Sequence, residues 1–541
     1  MKKILIIMSV FFSFLLAGCL KDEGNYKYAD VSEPTWKFPY GEQINVYEGD
    51  SIKYKSAFSF EKDSAERCEN VRYEWILNGV VFSEQRDLCM SGDTLIKKLN
   101  LKSFPKSFLT GTFNVIEKST GIRYMYKLLM NILPRYSKGT WMILSENGGN
   151  SQLSCQLKKI KNVDGERKIE YELLQDIYRQ KNGGEEIPGK PLKMLWHEAK
   201  HLSAAVGAVT VVTDQAAYEV NCENFVKSGE LKDQFLDGTP TNFKVSDVYY
   251  GSIISFIATE DGRLFRRMMS SDWLGGKYIS EPYLIDSKRS EVRHFGQGIN
   301  YEYNSALGFP CYDELNRRVM MINFYHPQGK IYPVTADAGH HALPIWNMEN
   351  GCEILRLSEY GNDPYDYENY GIQKLMMIFN KEGQTYMSNF RLKTDAYSSL
   401  YAYCLENKAD SVCLFPGGNL DENTLFLTTA SGYYSLDFSV VHSIFYSKGS
   451  ELRYVSRLDN SDNSLFSFKA KITAMRFAKG SNEYGEPVYT EIAVGLENGD
   501  FMLLNIADIS KPYIVEQSRV NLGGPIKQVA QISDPFSVDY Y

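Results

Sequence analysis

The chain has 541 residues, 43% of them hydrophobic, a formal net charge of −8 and nine cysteines. That content builds real cores and excludes a disordered chain, and the length exceeds one ordinary domain, so two or more folded units are expected. The acidic balance, with no basic stripe, excludes a nucleic-acid partner and disfavours phosphate-rich ligands.

The first segment reads as an export signal. Lys2 and Lys3 precede the apolar run Ile4 to Leu16, and Leu16-Ala17-Gly18-Cys19 is a small-residue cleavage site. A helix over that run reaches roughly 20 Å at about 1.5 Å per residue, short of the ~30 Å hydrocarbon core, so it is not a membrane span. The four residues ending at Cys19 resemble a bacterial lipobox, which makes residues 1–18 a removable signal peptide and Cys19 the lipidated N-terminus, anchored through several acyl chains. Leu20-Lys21-Asp22-Glu23 resembles the export tag of surface lipoproteins, so the expected location is the outer membrane, lipid-anchored and exposed at the cell surface. Residues 19–35 are polar and turn-rich, as a tether requires.

From residue 36 to 134 short segments rich in aromatic or branched residues alternate with turns. Ile44-Asn-Val-Tyr, Val71-Arg-Tyr-Glu-Trp75-Ile-Leu, Phe113-Asn-Val-Ile and Tyr124 to Leu133 are separated by signals such as Glu48-Gly49-Asp50 and Asn78-Gly79. This spacing predicts an immunoglobulin-like β-sandwich with Trp75 in its core.

Residues 135–541 carry a weak repeat: an apolar strand, a tight polar or glycine turn and a second aromatic-rich strand. It starts at Trp141, Val211, Phe256, Val319, Met376, Ile444 and Ile492, with turns near 148, 214, 262, 328, 383, 449 and 499. A period of about fifty residues is the length of a four-stranded blade, which predicts an all-β chain ending in a seven-bladed β-propeller. Ile526-Lys-Gln-Val-Ala-Gln-Ile532 resembles the inner strand Ile472-Thr-Ala-Met-Arg-Phe, yet no hairpin follows it. It is expected to complete the first blade beside Trp141, removing the open edges that invite aggregation.

Apart from Cys19 the cysteines are Cys68, Cys89, Cys155, Cys222, Cys311, Cys352, Cys404 and Cys413, with no CxxC spacing. They are too sparse for a disulfide scaffold, and only Cys68 with Cys89 and Cys404 with Cys413 are near in sequence; connectivity stays open.

Lipobox Cys19, the segment Lys21 to Tyr28, Tyr73-Glu-Trp75, Lys138-Gly139-Thr140-Trp141-Met-Ile-Leu-Ser-Glu and Pro188-Gly189-Lys190-Pro191 together resemble the PKD-like family of outer-membrane lipoproteins. The resemblance implies an accessory protein beside SusC/SusD-type importers, which capture glycans or peptides at the cell surface. It brings no catalytic residues.

Chemistry-bearing constellations are few. His197-Glu198-Ala199-Lys200-His201 is a literal HExxH, which on a helix would place two Zn ligands on one face with Glu198 as general base. Against a zinc hydrolase stand Lys200 beside the metal, Ala204 where the longer motif needs Gly, and no clear third ligand. Glu219 and Glu223 follow at suitable distance, but Ala216 to Asn221 reads as a strand after a turn, and Pro188 and Pro191 favour an exposed loop at His197. His340-His341 with Asp337 reads as a surface loop, and Asp459 with Asp462 lacks the glycine and terminal glutamate of a Ca²⁺ loop. Glu359 to Tyr370 packs Tyr360, Tyr365, Tyr367 and Tyr370 among carboxylates in an inter-strand insertion, which suits stacking on sugar rings or contact with a peptide. No GxSxG elbow, phosphate loop or dinucleotide fingerprint is present. The expectation is a non-catalytic binding or accessory protein without a cofactor, with a zinc hydrolase and a purely structural importer subunit as its competitors.

Overall fold

The computed structural model describes residues 34–36, 42–56, 58–60, 69–101, 104–105, 107–136, 139–163, 166–197, 207–250, 254–268, 276–296, 309–323, 330–362, 372–395, 401–404, 412–428, 443–456, 459–478 and 489–532. The chain is all-β and divides into two compact units, one formed by residues up to 131 and the other almost entirely by residues 132–541.

In the first unit a five-stranded antiparallel sheet runs in the order Glu42–Tyr47, Arg123–Leu133, Leu109–Glu117, Val71–Leu77, Val80–Ser83. Two short pairs accompany it, Pro34–Trp36 with Phe58–Phe60 and Ser51–Tyr54 with Leu88–Ser91. Alternation decides which side chains go inward: Trp75 is fully buried against Phe113, ring centroids 4.2 Å apart, while its sequence neighbours face away. The hairpin at Asn78-Gly79 holds both residues at positive φ, 47° and 77°, a turn that Asn-Gly adopts at little cost.

The second unit is a succession of antiparallel meanders. One runs Pro191–His197, Ala208–Thr213, Ala217–Asn221, Lys227–Glu230; the next Val245–Tyr250, Ile254–Thr259, Leu264–Met268. An eight-stranded sheet follows, made of Phe309–Asp313, Arg318–Asn323, Lys330–Ala336 and of Glu353–Asn362, Ile372–Lys381, Gln384–Asp395, Tyr401–Cys404, the two joined by parallel pairing of Lys330–Ala336 with Tyr401–Cys404, while Val412–Leu414 pairs with Gln384–Asp395 beside this path. Then come Phe426–Thr428, Ser443–Lys448, Glu451–Ser456, Asp462–Ser467 and Ile472–Phe477, Glu491–Leu496, Asp500–Asn505, Tyr513–Ile514.

The first meander of this unit is built from both of its ends. Trp141–Asn147 pairs on one side with Asn150–Val163 and on the other with Ile526–Gln531, with Trp141 opposite Gln531 and Ile143 opposite Val529. The closing strand expected from the sequence is therefore in place.

Each central strand is apolar on both faces, so each meander packs against two neighbours. Val212 and Ala217 meet Val248 and Phe265; Phe256 meets Met320 and Cys311; Met321 meets Leu375 and Phe390. Met376 meets Tyr446, Phe445 meets Val494, and Ala493 and Phe501 meet Trp141 and Ile526, while Met142 and Leu153 on the reverse of that first meander return to Trp196 and Val209. The interfaces close on themselves, which makes the unit propeller-like. Gly495 permits the last contact: a Cβ there would lie 2.4 Å from Ile526.

The repeat read at Val319 keeps its place in the series: Arg318–Asn323 is the second strand, between Phe309–Asp313 and Lys330–Ala336, and the turn read at Gln328-Gly329 falls in the connection to Lys330–Ala336, outside the described residues.

Candidate functional site

Two neighbouring inner strands, Pro191–His197 and Val245–Tyr250, run in the same direction and meet through polar side chains at both ends. Lys193 pairs with the buried carboxylate of Asp247, which also accepts from the Phe295 backbone N–H at 3.0 Å. The edge of Pro191–His197 is capped likewise, Met194 N–H donating to Gln528 at 2.9 Å. Gln528 thereby satisfies an inner-strand amide that no further strand pairs, and Asp247 an amide of the segment before Phe309–Asp313.

At the other end lies a buried polar seam. His197 is 3% exposed and Glu219 fully buried, their nearest atoms 3.6 Å apart. Thr210 Oγ1 sits 3.3 Å from His197 Nε2 and 2.8 Å from the Tyr250 hydroxyl, which donates to Glu219 Oε1 at 3.2 Å. Gln234 donates to the other Glu219 oxygen and accepts from Arg267, so a side-chain amide links a buried cation to a buried carboxylate. Arg267 also donates to Ser255 at 3.2 Å and lies over the Tyr278 ring. Burial, with the Glu219 carboxylate beside it, pushes the Tyr250 phenol well up, so it stays a donor.

This placement corrects the helical reading of HExxH. His197 ends a β-strand, opposite Ala208, and is neither on a helix nor in an exposed loop. The i, i+4 helical face that brings two zinc ligands together does not exist at His197, and its ring is stacked on Tyr250 at 3.7 Å. Glu198 and His201 lie outside the described residues, among which no three His, Cys, Asp or Glu side chains group to hold a metal. Ala217–Asn221 is a strand, as its pattern indicated.

Residues 19–191 match the PKD-like family. The PKD-like match thus spans the first unit, the strands Trp141–Leu174 and the connection up to the first residue of Pro191–His197. No curated protein matches the chain. Among solved structures it is similar to a quinoprotein alcohol dehydrogenase-like protein from Bacteroides thetaiotaomicron, at 8% identity and a TM-score of 0.29, over 93% of this chain and 97% of that one. It is also similar to the Cps50 (Swd1) β-propeller domain of Myceliophteria thermophila, at 7% identity and a TM-score of 0.33, over 62% of this chain and 89% of that one. A third similarity is to a chain of a mitotic checkpoint complex, at 10% identity and a TM-score of 0.30, over 60% and 80%.

Beyond the PKD-like segment, the other candidate residues separate. Tyr360 lies in the strand Glu353–Asn362, whereas Tyr365, Tyr367 and Tyr370 fall outside the described residues, as does Cys19. His341 is mostly buried, its Nε2 2.8 Å from Asp337 and its ring edge-on to Trp346, so the surface loop expected there folds inward at His341. Asp462 is committed to Arg453, which donates to it at 2.8 Å, and to the Tyr446 hydroxyl, while Asp459 accepts from Ser461. The buried cysteines Cys155 and Cys222 sit in one apolar cluster, and burial pushes the Cys155 thiol up to about 12.

Proposed function

We propose that this protein is a non-catalytic surface lipoprotein, an accessory or binding component of a SusC/SusD-type system for glycan or peptide uptake, with a PKD-like β-sandwich carrying a seven-bladed propeller. Counting the eight-stranded sheet as two meanders gives the seven blades, and the cyclic order of their interfaces supports the ring.

The observation that carries the binding role is the unequal length of two sets of connections within the meanders. The turns 148–149, 214–216, 382–383 and 449–450 join second to third strands tightly, while in four meanders the connections from inner to second strands run over 198–207, 363–371, 429–442 and 478–490. In antiparallel meanders these two sets leave opposite edges, so the surplus sequence of those four connections falls on one edge. Surplus loops on a rigid scaffold are where recognition is added. The insertion bearing Tyr360, Tyr365, Tyr367 and Tyr370 is one of them, and its rings and carboxylates suit an uncharged sugar or an extended peptide. Glycan and peptide arrays probed with the full chain, followed by co-purification from membranes, test the reading. Binding to neither array and no importer co-purifying would overturn it.

A further inference from the structure

The outer face of the five-stranded sheet in the first unit carries an ordered grid of side chains. Strand register sets Arg72, Ile116 and Arg123 in one row, Glu74, Asn114 and Met125 in the next, and Ile76, Thr112 and Lys127 in the third. The opposite face holds Trp75 and Phe113 and is core.

Asn114 is the centre of the grid and is 1% exposed, yet neither atom of its amide has a hydrogen-bond partner. A buried amide left so calls for an explanation. Its cross-strand neighbour Met125 is 66% exposed, a flexible apolar side chain held in solvent beside the amide. Arg72 and Arg123 converge on the single carboxylate of Glu74, at 2.6 and 3.3 Å, and Lys127 is exposed in the adjoining row, so the face has more cations than carboxylates in an otherwise acidic chain.

We propose that this face binds a glycan bearing uronic-acid carboxylates, with Arg72 and Arg123 taking the carboxylate and the Asn114 amide pairing with ring hydroxyls when Met125 moves aside. Arginine forks fit carboxylates in two-point contact, and an amide offers both a donor and an acceptor to vicinal hydroxyls. A glycan fits better than an acidic peptide because the grid is the interior of a sheet face, whereas an extended peptide gains its main-chain bonds at an open edge. The site is separate from the tyrosine insertion of the other unit.

Calorimetric titration of the full chain with oligogalacturonate, with neutral dextran and polyglutamate as comparison, tests the assignment. Oligogalacturonate is expected to bind, at least tenfold more weakly after Arg72→Gln with Arg123→Gln, and more weakly after Asn114→Val although that change keeps or raises the melting temperature. Dextran is expected not to bind. Absence of oligogalacturonate binding, unchanged affinity in the variants, or equal affinity for polyglutamate would overturn the proposal. Tyr365→Ala with Tyr367→Ala should leave this titration unaltered, so its failure is distinct from failure of the uptake reading.

Discussion

The His197 imidazole lies face to face with the Tyr250 ring, 3.7 Å between centroids, at the ends of two inner strands from adjacent sheets. The Tyr250 hydroxyl is the junction of the seam, contacting both Thr210 and Glu219. Tyr250→Phe keeps the stacking and removes one donor from a buried carboxylate, and should cost about 1–3 kcal/mol in denaturant unfolding. A loss under about 0.3 kcal/mol would mean that the seam is not fully formed in solution.

The same seam bears on metal content. Purified protein lacking Cys19 should contain no stoichiometric zinc, because His197 is fixed in a strand against Thr210 and Tyr250. Elemental analysis near one zinc per chain, lost on His201→Ala, would restore the hydrolase alternative.

Ring closure is sensitive to one hydrogen atom at Gly495. Gly495→Ala would push a methyl into Ile526 and should destabilise the second unit by about 1–3 kcal/mol. Ile526→Ala makes room, so the double variant should be more stable than the sum of the single effects predicts, a coupling that thermal unfolding of the four proteins measures.

Glu230 gives a pH signature. Burial works against its carboxylate charge, but hydrogen bonds from Lys227 and Lys232 outweigh it and hold the group below its ordinary 4.5. Because the folded value is the lower one, the stabilisation is present above about pH 4.5 and disappears as pH falls through the folded value. Glu230→Gln should therefore cost about 0.5–1 kcal/mol at pH 7, and progressively less as pH falls below 4.5 through the folded value. A cost that does not change with pH would refute the ion-pair origin.

Two predictions rest on the sequence. Cys19→Ser should abolish labelling by radioactive palmitate, and unchanged labelling would sink the lipoprotein reading. Tyr365→Ala with Tyr367→Ala should leave thermal unfolding nearly unchanged and weaken binding to an array-identified glycan or peptide by roughly five- to a hundred-fold, from about 0.5–1.5 kcal/mol per stacked ring. A large fall in melting temperature would show instead that these rings are core.

Local patterns were legible where they repeat. Glycine turns such as Asn147-Gly148-Gly149 and Glu382-Gly383 betray their hairpins, and Ile526 to Gln531 betrays its place by resembling another inner strand. The seam was not legible, since its members come from six strands, a short helical turn and a bridge residue spread from His197 to Tyr278, and each looks like an ordinary polar residue in its own segment. The exposed loop expected at His197 is a buried strand end for a related reason, and the spacing of HExxH speaks of a shared face only if the backbone is helical, which Pro191–His197 is not.

The pairing of Trp141 with Gln531 also sets an order of events. A chain emerging from its N-terminal end produces Trp141–Asn147 and its two following strands long before their fourth partner exists, so that sheet must wait with an unpaired apolar edge until Ile526–Gln531 arrives. Contacts of such sequence separation form late and slowly. The ring can therefore be completed only once nearly the whole chain is available, and any factor that shields exposed strand edges matters most for the segment around Trp141 during that interval.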